Sequence, residues 1–275
     1  MTAVSEPWRT VSVVGVGLIG GSFALGLRKE GFTGKIIGVS SPRTTNAALE
    51  RKVIDEALPL ADAAEQSDLI FLAQPIHKIL TTLDTIDEAA RPGALITDAG
   101  STKRAIVDKA AQKIKRARFV GGHPMAGKES RGVEEADPDL FRDYPWILMT
   151  EEPRLESWIG KLGSNLVRMD AATHDRLVAL SSHLPQLMST ALGTLFAETP
   201  EIASVAGPTA RGMARLALSD YEIWRDIFST NAREVDHALA SYIERLQQLR
   251  DQLRKGTGLA EAFELASKGA RAVRR

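Results

Sequence analysis

The chain contains no cysteine. Disulfides, thiol nucleophiles and thiolate-ligated metal sites are therefore excluded, and no metal centre is expected. It also lacks an excess of either charge: 35 basic side chains stand against 35 acidic ones, for a net charge of zero. A general nucleic-acid binder needs a basic field to neutralise phosphates, so that class is set aside. No apolar run approaches the roughly 18 residues of a membrane span. The segment before Arg9 lacks a basic stretch followed by an apolar one, so no secretory signal is expected there and a cytoplasmic location is. Internal repeats and low-complexity tracts are missing too. What remains is ordinary globular material: 275 residues, 44% hydrophobic and 25% charged, enough for one large domain or two of common size.

The strongest local signal comes first. Thr10 to Val14 is a β-branched run that reads as a buried strand, and it leads directly into Gly15-Val16-Gly17-Leu18-Ile19-Gly20-Gly21-Ser22. A helical stretch from Phe23 to Glu30 follows and stops at Gly31. Strand, G-x-G-x-x-G and helix in this order form a dinucleotide-binding arrangement. Gly15 permits the tight turn, Gly17 lets backbone N–H groups approach a pyrophosphate, and Gly20 allows close helix–strand packing. Leu18 and Ile19 complete the loop, and the helix N-terminus brings partial positive charge to the phosphates.

The next strand, Lys35 to Val39, bears on the choice of cofactor. An NAD site places Asp or Glu about 20 residues beyond the motif, on the ribose 2′-hydroxyl. Here that place is Ser40, followed by Ser41, Pro42 and Arg43. Hydroxyls and a guanidinium can hold a 2′-phosphate that a carboxylate would repel, so NADP is expected, with NAD possible.

Further strands are expected at Asp68–Ala73, ended by Gln74-Pro75, at Ala94–Asp98, and at Phe119–Gly122. Helices are expected at His77–Ala90 and Thr102–Lys115, and Trp146–Met149 and Leu166–Met169 read as two more strands. Such alternation makes a parallel sheet wound on both faces, which binds ligands at the carboxyl ends of its strands. Gln74, Pro75, Ser101 and the segment after Gly122 all lie at such ends. From Thr173 the apolar residues fall at helical spacing, and Val235, Leu239, Tyr242, Leu246, Leu249 and Leu253 form a seam for core or dimer packing. The expected division is a doubly wound α/β domain over 1–171 and an all-helical domain over 172–275.

Among the five histidines, His123 stands out by context. Small residues and proline in Gly121-Gly122-His123-Pro124-Met125-Ala126-Gly127 fix an exposed loop after a strand end, where an imidazole of unperturbed pKa about 6.5 can act as a base. Ser101 can hydrogen-bond a substrate hydroxyl, or cap the helix that follows, or both. His183-Leu184-Pro185-Gln186 interrupts an apolar helix, as a purely structural kink or as polar groups facing a cleft. Arg211 and Arg215, four apart on one helix face, suit an anionic substrate or are a surface pair.

Together these segments resemble the prephenate and arogenate dehydrogenases of tyrosine biosynthesis over nearly the whole chain. The glycine loop to Ser22, Asp98-Ala99-Gly100-Ser101-Thr102-Lys103, the Gly121–Gly127 string with Glu129, His174-Asp175, Ser182 to Pro185 and the Arg211–Arg215 spacing carry the resemblance. It implies oxidative decarboxylation with hydride transfer to a nicotinamide dinucleotide, a Rossmann-type first domain, and a helical homodimer. His123 is then the catalytic histidine and Ser101 a neighbour of substrate and nicotinamide. Arg215 binds a substrate carboxylate, Glu129 stands near the pocket mouth, and His183 lines the substrate cleft, with Gln186 and Arg211 beside them. Two departures are visible. Gln186 replaces a second histidine of many prephenate-specific members, and Arg211-Gly212-Met213-Ala214-Arg215 replaces the usual Arg-Asp-x-Thr-Arg. The Gly38-Val39-Ser40 string is closest to the NADP-using arogenate type. Two other functions remain in view: a β-hydroxyacid dehydrogenase, whose lysine-bearing glycine helix has no counterpart around Val205–Pro208, and a non-catalytic NADP sensor.

Overall fold

The computed structural model describes residues 8–128 and 130–273. The chain divides into two compact units: residues 8–178 with Leu218–Asn231, and Ala179–Ala217 with residues 232–273.

In the first unit the expected β-branched runs become β1 (Thr10–Val14), β2 (Lys35–Val39), β3 (Glu56–Ala57), β4 (Leu69–Leu72), β5 (Leu95–Asp98) and β6 (Arg118–Val120). They form one sheet in the order β3-β2-β1-β4-β5-β6, parallel throughout. Parallel neighbours require crossovers, supplied here by α1 (Leu18–Lys29), α2 (Pro42–Glu50), α3 (Leu60–Gln66), α4 (Ile76–Thr82), α5 (Ile86–Ala89) and α6 (Arg104–Lys113). Side chains alternate between two cores. Val11, Val13, Phe71 and Leu95 pack with Phe23 and Trp146, while Val14, Ile70, Leu72 and Ile96 pack with Ile79 and Ile106. With both faces covered, the strands carry no polar alternation. This strand order reverses between β1 and β4, and ligands bind outside the strand ends at such a point.

After β6 the chain leaves this sheet. β7 (Gly122–Pro124) pairs antiparallel with β8 (Pro145–Leu148), which pairs parallel with β9 (Asn165–Arg168), and α7 (Pro153–Lys161) connects the last two. The strand expected at Phe119–Gly122 is thus shared between two sheets and broken at Gly121, where an added Cβ would lie 2.8 Å from Met149 Cγ. The first helix also starts earlier than the apolar pattern suggests, at Leu18, and the helix expected at His77–Ala90 is split into α4 and α5.

α8 (Ala171–Val178) closes this run of the first unit. The chain then builds α9 (Leu184–Ala197) and α10 (Pro208–Ala214) of the second unit, and α11 (Tyr221–Thr230) returns to the first. There Ile227 enters the core beneath α4, and Asp226 accepts the His77 N–H at 3.1 Å to cap that helix. The second unit ends with α12 (Ala232–Lys255) and α13 (Leu259–Ala272). A π-helical turn, Ala179–His183, precedes α9 and explains the interruption expected at His183–Gln186. Pro185 stands one residue into α9, directly after the π-helical turn, and has no N–H to bond back into that turn. Among the described residues no helix is long and apolar enough to cross a membrane.

Candidate active site

The glycine loop closes on itself through sterics. Gly15 has φ +96°, and a Cβ there would lie 2.5 Å from the Ala73 carbonyl oxygen. At Gly20 it would lie 2.1 Å from the Gly15 oxygen, so neither position tolerates a side chain. Gly17 differs: an added Cβ would meet nothing within 4 Å. It caps α1 without a side-chain hydrogen bond, and the first turn carries no acidic residue. The orphan N–H groups and the dipole of α1 are therefore available to an anion.

These groups face a cavity of about 530 Å³. Gly17, Leu18 and Ile19 line one side, Gln74 and Pro75 follow β4, and Ser101 follows β5. Ser130 to Gly132 and the α11 residues Arg225 and Ile227 complete the lining. An open glycine, an unused helix N-terminus and a cavity of this size fit a dinucleotide with its pyrophosphate at α1. Ser40, Ser41 and Arg43 stand outside this lining, exposed where β2 ends and α2 begins. The Ser41 hydroxyl is already engaged as the cap of α2, accepting from Thr44 N at 3.4 Å.

Beside the cavity, polar groups fix the loop that bears Ser101 and the strand that bears His123. Asp98 is fully buried at the end of β5 and accepts from Gly100 N at 2.8 Å and Gly122 N at 3.1 Å. The equally buried Lys103 ammonium donates to Asp98 and to the Gly122 carbonyl. Burial pushes the Lys103 pKa down, and the Asp98 charge works against that push. Ser101 is not the cap of α6. Asp175 of α8 takes that role, accepting from Lys103 N at 2.7 Å and Arg104 N at 2.9 Å.

His123 is buried on β7, and its Nδ1 lies 2.8 Å from Nε2 of the fully buried His174. His174 Nδ1 in turn lies 2.8 Å from Asp175 Oδ1. Burial raises the Asp175 pKa, but hydrogen bonds from His174, Arg104 N and Lys103 N outweigh it and hold the carboxyl below its ordinary range. His174, Asp175, Lys103 and α11 border the candidate site, and residue types and spacing did not single them out. The only sequence signal for the first two was the His174-Asp175 string itself.

Glu129 lies outside the described residues. The other candidate residues belong to the second unit. His183 and Gln186 are buried at the start of α9. Gln186 Nε2 donates to the Leu216 carbonyl at 2.9 Å, while its Oε1 is buried and accepts no hydrogen bond. Arg211 is on α10, and Arg215 opens the 3-10 turn that follows it, so the two arginines span a helix end rather than one helix face.

The chain is similar to known proteins over most of its length. Residues 23–173 match the sequence model of the prephenate dehydrogenase nucleotide-binding domain, and residues 170–265 that of the prephenate dehydrogenase dimerization domain. A prephenate dehydrogenase of Lactococcus lactis is 31% identical over 250 residues, 88% of this chain and 70% of that protein. The prephenate dehydrogenase of Aquifex aeolicus, solved with hydroxyphenyl propionate and NAD+, superposes with a TM-score of 0.85 at 30% identity, over 98% of this chain and 97% of that one. Synechocystis arogenate dehydrogenase gives 0.82 at 31% identity, over 97% of this chain and 100% of that one.

Proposed function

This chain belongs to the prephenate dehydrogenase family, and from that premise we propose His123 as its catalytic base, NADP as its preferred cofactor and arogenate as its preferred substrate. The reaction is oxidative decarboxylation, giving tyrosine from arogenate or 4-hydroxyphenylpyruvate from prephenate. The bound dinucleotide supplies a hydride acceptor. Gly17, Leu18 and Ile19 would hold its pyrophosphate through backbone N–H groups, and Gln74 and Pro75 would line the same cavity. Ser40 and Arg43 take the 2′-phosphate; Ser41 joins them through the turn it caps.

Ser101 orients the substrate hydroxyl and His123 accepts its proton while the hydride departs from the carbinol carbon. The ring carboxylate then leaves as CO2, its bonding electrons pass into the ring, and the proton returns to the oxygen to complete a phenol. His183, Gln186, Arg211, Arg215 and Glu129 bind the substrate, Arg215 through a carboxylate. The unsatisfied Gln186 Oε1 favours arogenate, because an ammonium group offers a donor that a keto group does not. A homodimer forms through the helical unit, and the setting is cytoplasmic.

The observation that carries this reading is the cavity running from Gly17 to Ser101 beside the His123 strand. Nicotinamide reduction should be measured with prephenate and arogenate, each with NAD and NADP. The fastest turnover is expected with arogenate and NADP. Reduction with neither acid would defeat the enzymatic reading, and a preference for prephenate or NAD would overturn only the finer assignment.

A further inference from the structure

The His123–His174–Asp175 contacts leave one consistent pattern of protons. Asp175 is held ionised, so His174 Nδ1 must donate to it. In a neutral His174 the other nitrogen, Nε2, is then the acceptor, and the proton between the rings belongs to His123 Nδ1. The neutral His123 ring is thereby left with Nε2 as its basic nitrogen. We propose that His174 and Asp175 are positioning residues that set the tautomer and ring orientation of His123, so that Nε2 is the atom that takes the substrate's proton. This rests on the reading of His123 as the base.

The arrangement does more than hold a ring. When Nε2 takes the proton, His123 Nδ1–H still donates to His174 and His174 Nδ1–H still donates to Asp175. The imidazolium is stabilised without any further proton moving, the role a buried carboxylate plays behind a catalytic histidine in hydrolases. The charged groups near the chain include the buried Lys103–Asp98 pair, and Asp175 also accepts the Arg104 backbone N–H at the start of α6. Lys103 is paired with Asp98, and Asp175 is the carboxylate in contact with the histidine pair. The peptide after Asp175 is fixed as well, for Asn231 Nδ2, just beyond α11, donates to the Asp175 carbonyl at 2.8 Å. The return of the chain through α11 thus buttresses the anion at the far end of the relay.

Three substitutions separate this role from a structural one. Asp175→Asn presents an amide N–H to His174, inverts both tautomers and should lower kcat by roughly 10²- to 10⁴-fold. Because it also weakens the α6 cap, His174→Phe is the deciding variant: it cuts the relay and leaves the cap in place. It should lower kcat at least tenfold with dinucleotide affinity unchanged, and move the acid limb of kcat/KM to lower pH, since the imidazolium loses its support. His174→Gln keeps an acceptor toward His123 and a donor toward Asp175, and should recover part of the loss. Ring-nitrogen NMR of histidine-labelled protein should show His123 protonated at Nδ1 in the wild type and at Nε2 in Asp175→Asn. His123→Asn is measured alongside. If it is inactive while His174→Phe keeps both kcat and the acid limb, the relay is wrong and the base assignment stands. If His123→Asn is itself active, the base assignment falls first. An Nε2-protonated His123 in the wild type overturns the relay whatever the kinetics.

Discussion

Asparagine at position 123 would keep a polar side chain of similar reach but remove the nitrogen that takes a proton. Loss of one positioned general base costs about 10²–10⁴-fold in turnover, so His123→Asn should fall in that range by steady-state rates. Dinucleotide affinity should persist, because His123 does not line the cofactor cavity. Arg215→Ala has a different expected signature, a raised Michaelis constant with turnover preserved, since a carboxylate contact exists in ground and transition states alike. A second residue-scale test concerns the cofactor. Ser40→Asp with Arg43→Ala places a carboxylate where a 2′-phosphate would sit and removes a guanidinium, and binding titrations should show preference moving from NADP to NAD. Equal affinity of the wild type for both, unchanged in the double variant, would reject that assignment. At this scale the sequence was most legible where chemistry is local. The glycine loop, Ser101 and His123 could be singled out from their neighbours along the chain. His174 and Asp175 could not, because their role depends on α8 lying against β7 and the start of α6, contacts more than fifty residues apart in sequence.

The helix α1 and its glycines permit a sharper contrast. Gly20→Ala drives a methyl into backbone that has no room to move, so overpacking of about 1–3 kcal/mol is expected, with dinucleotide binding lost alongside. Gly17→Ala puts the same methyl into open space. Its effect on stability should stay within about 1 kcal/mol, the scale of an N-cap change, while dinucleotide affinity falls. Thermal unfolding and titration on the same two proteins would show whether the loop is built around a ligand or only around itself. α6 offers a pH test of its cap. Asp175 has a depressed pKa in the folded protein, so its contribution is complete above the unfolded value of about 3.9 and disappears as pH falls through the folded one. Asp175→Asn should therefore unfold at lower temperature than the wild type near neutrality, and the gap should close in acid. Periodicity found β1, β2, β4 and β5 because buried parallel strands are short unbroken apolar runs. It did not find the early start of α1, whose first turn carries Gly20 and Gly21 because the neighbouring chain leaves no room for a Cβ there, not for helix propensity. Nor did it separate β7 from β6, since a single residue, Gly121, carries the chain between sheets.

At the scale of the molecule, α11 shows why a boundary drawn along the sequence misses part of the site. Tyr221 to Thr230 lies deep in the helical half, yet it packs into the first unit and supplies Arg225 and Ile227 to the cavity beside the glycine loop. Its amphipathic pattern announces a buried face and nothing about which core receives it. The seam on α12 was more readable, and its burial is uneven. Val235 is buried, whereas Leu246 and Leu253 are 46% and 68% exposed, and Phe263 on α13 is 74% exposed. Apolar side chains of this size left uncovered on α12 and α13 are what a subunit interface requires. Leu246→Glu with Leu253→Glu would set desolvated charges into that interface while altering positions that the single chain leaves open. Light scattering is expected to give a dimer for the wild type at micromolar concentration and a monomer for the double variant. A dinucleotide titration on that monomer should retain affinity, because every residue lining the cavity lies in the first unit. A wild type that scatters as a monomer would remove the dimer. A double variant that monomerises and loses dinucleotide affinity would instead mean that pairing of the helical unit shapes the cofactor site, and that the first unit does not hold its ligand alone.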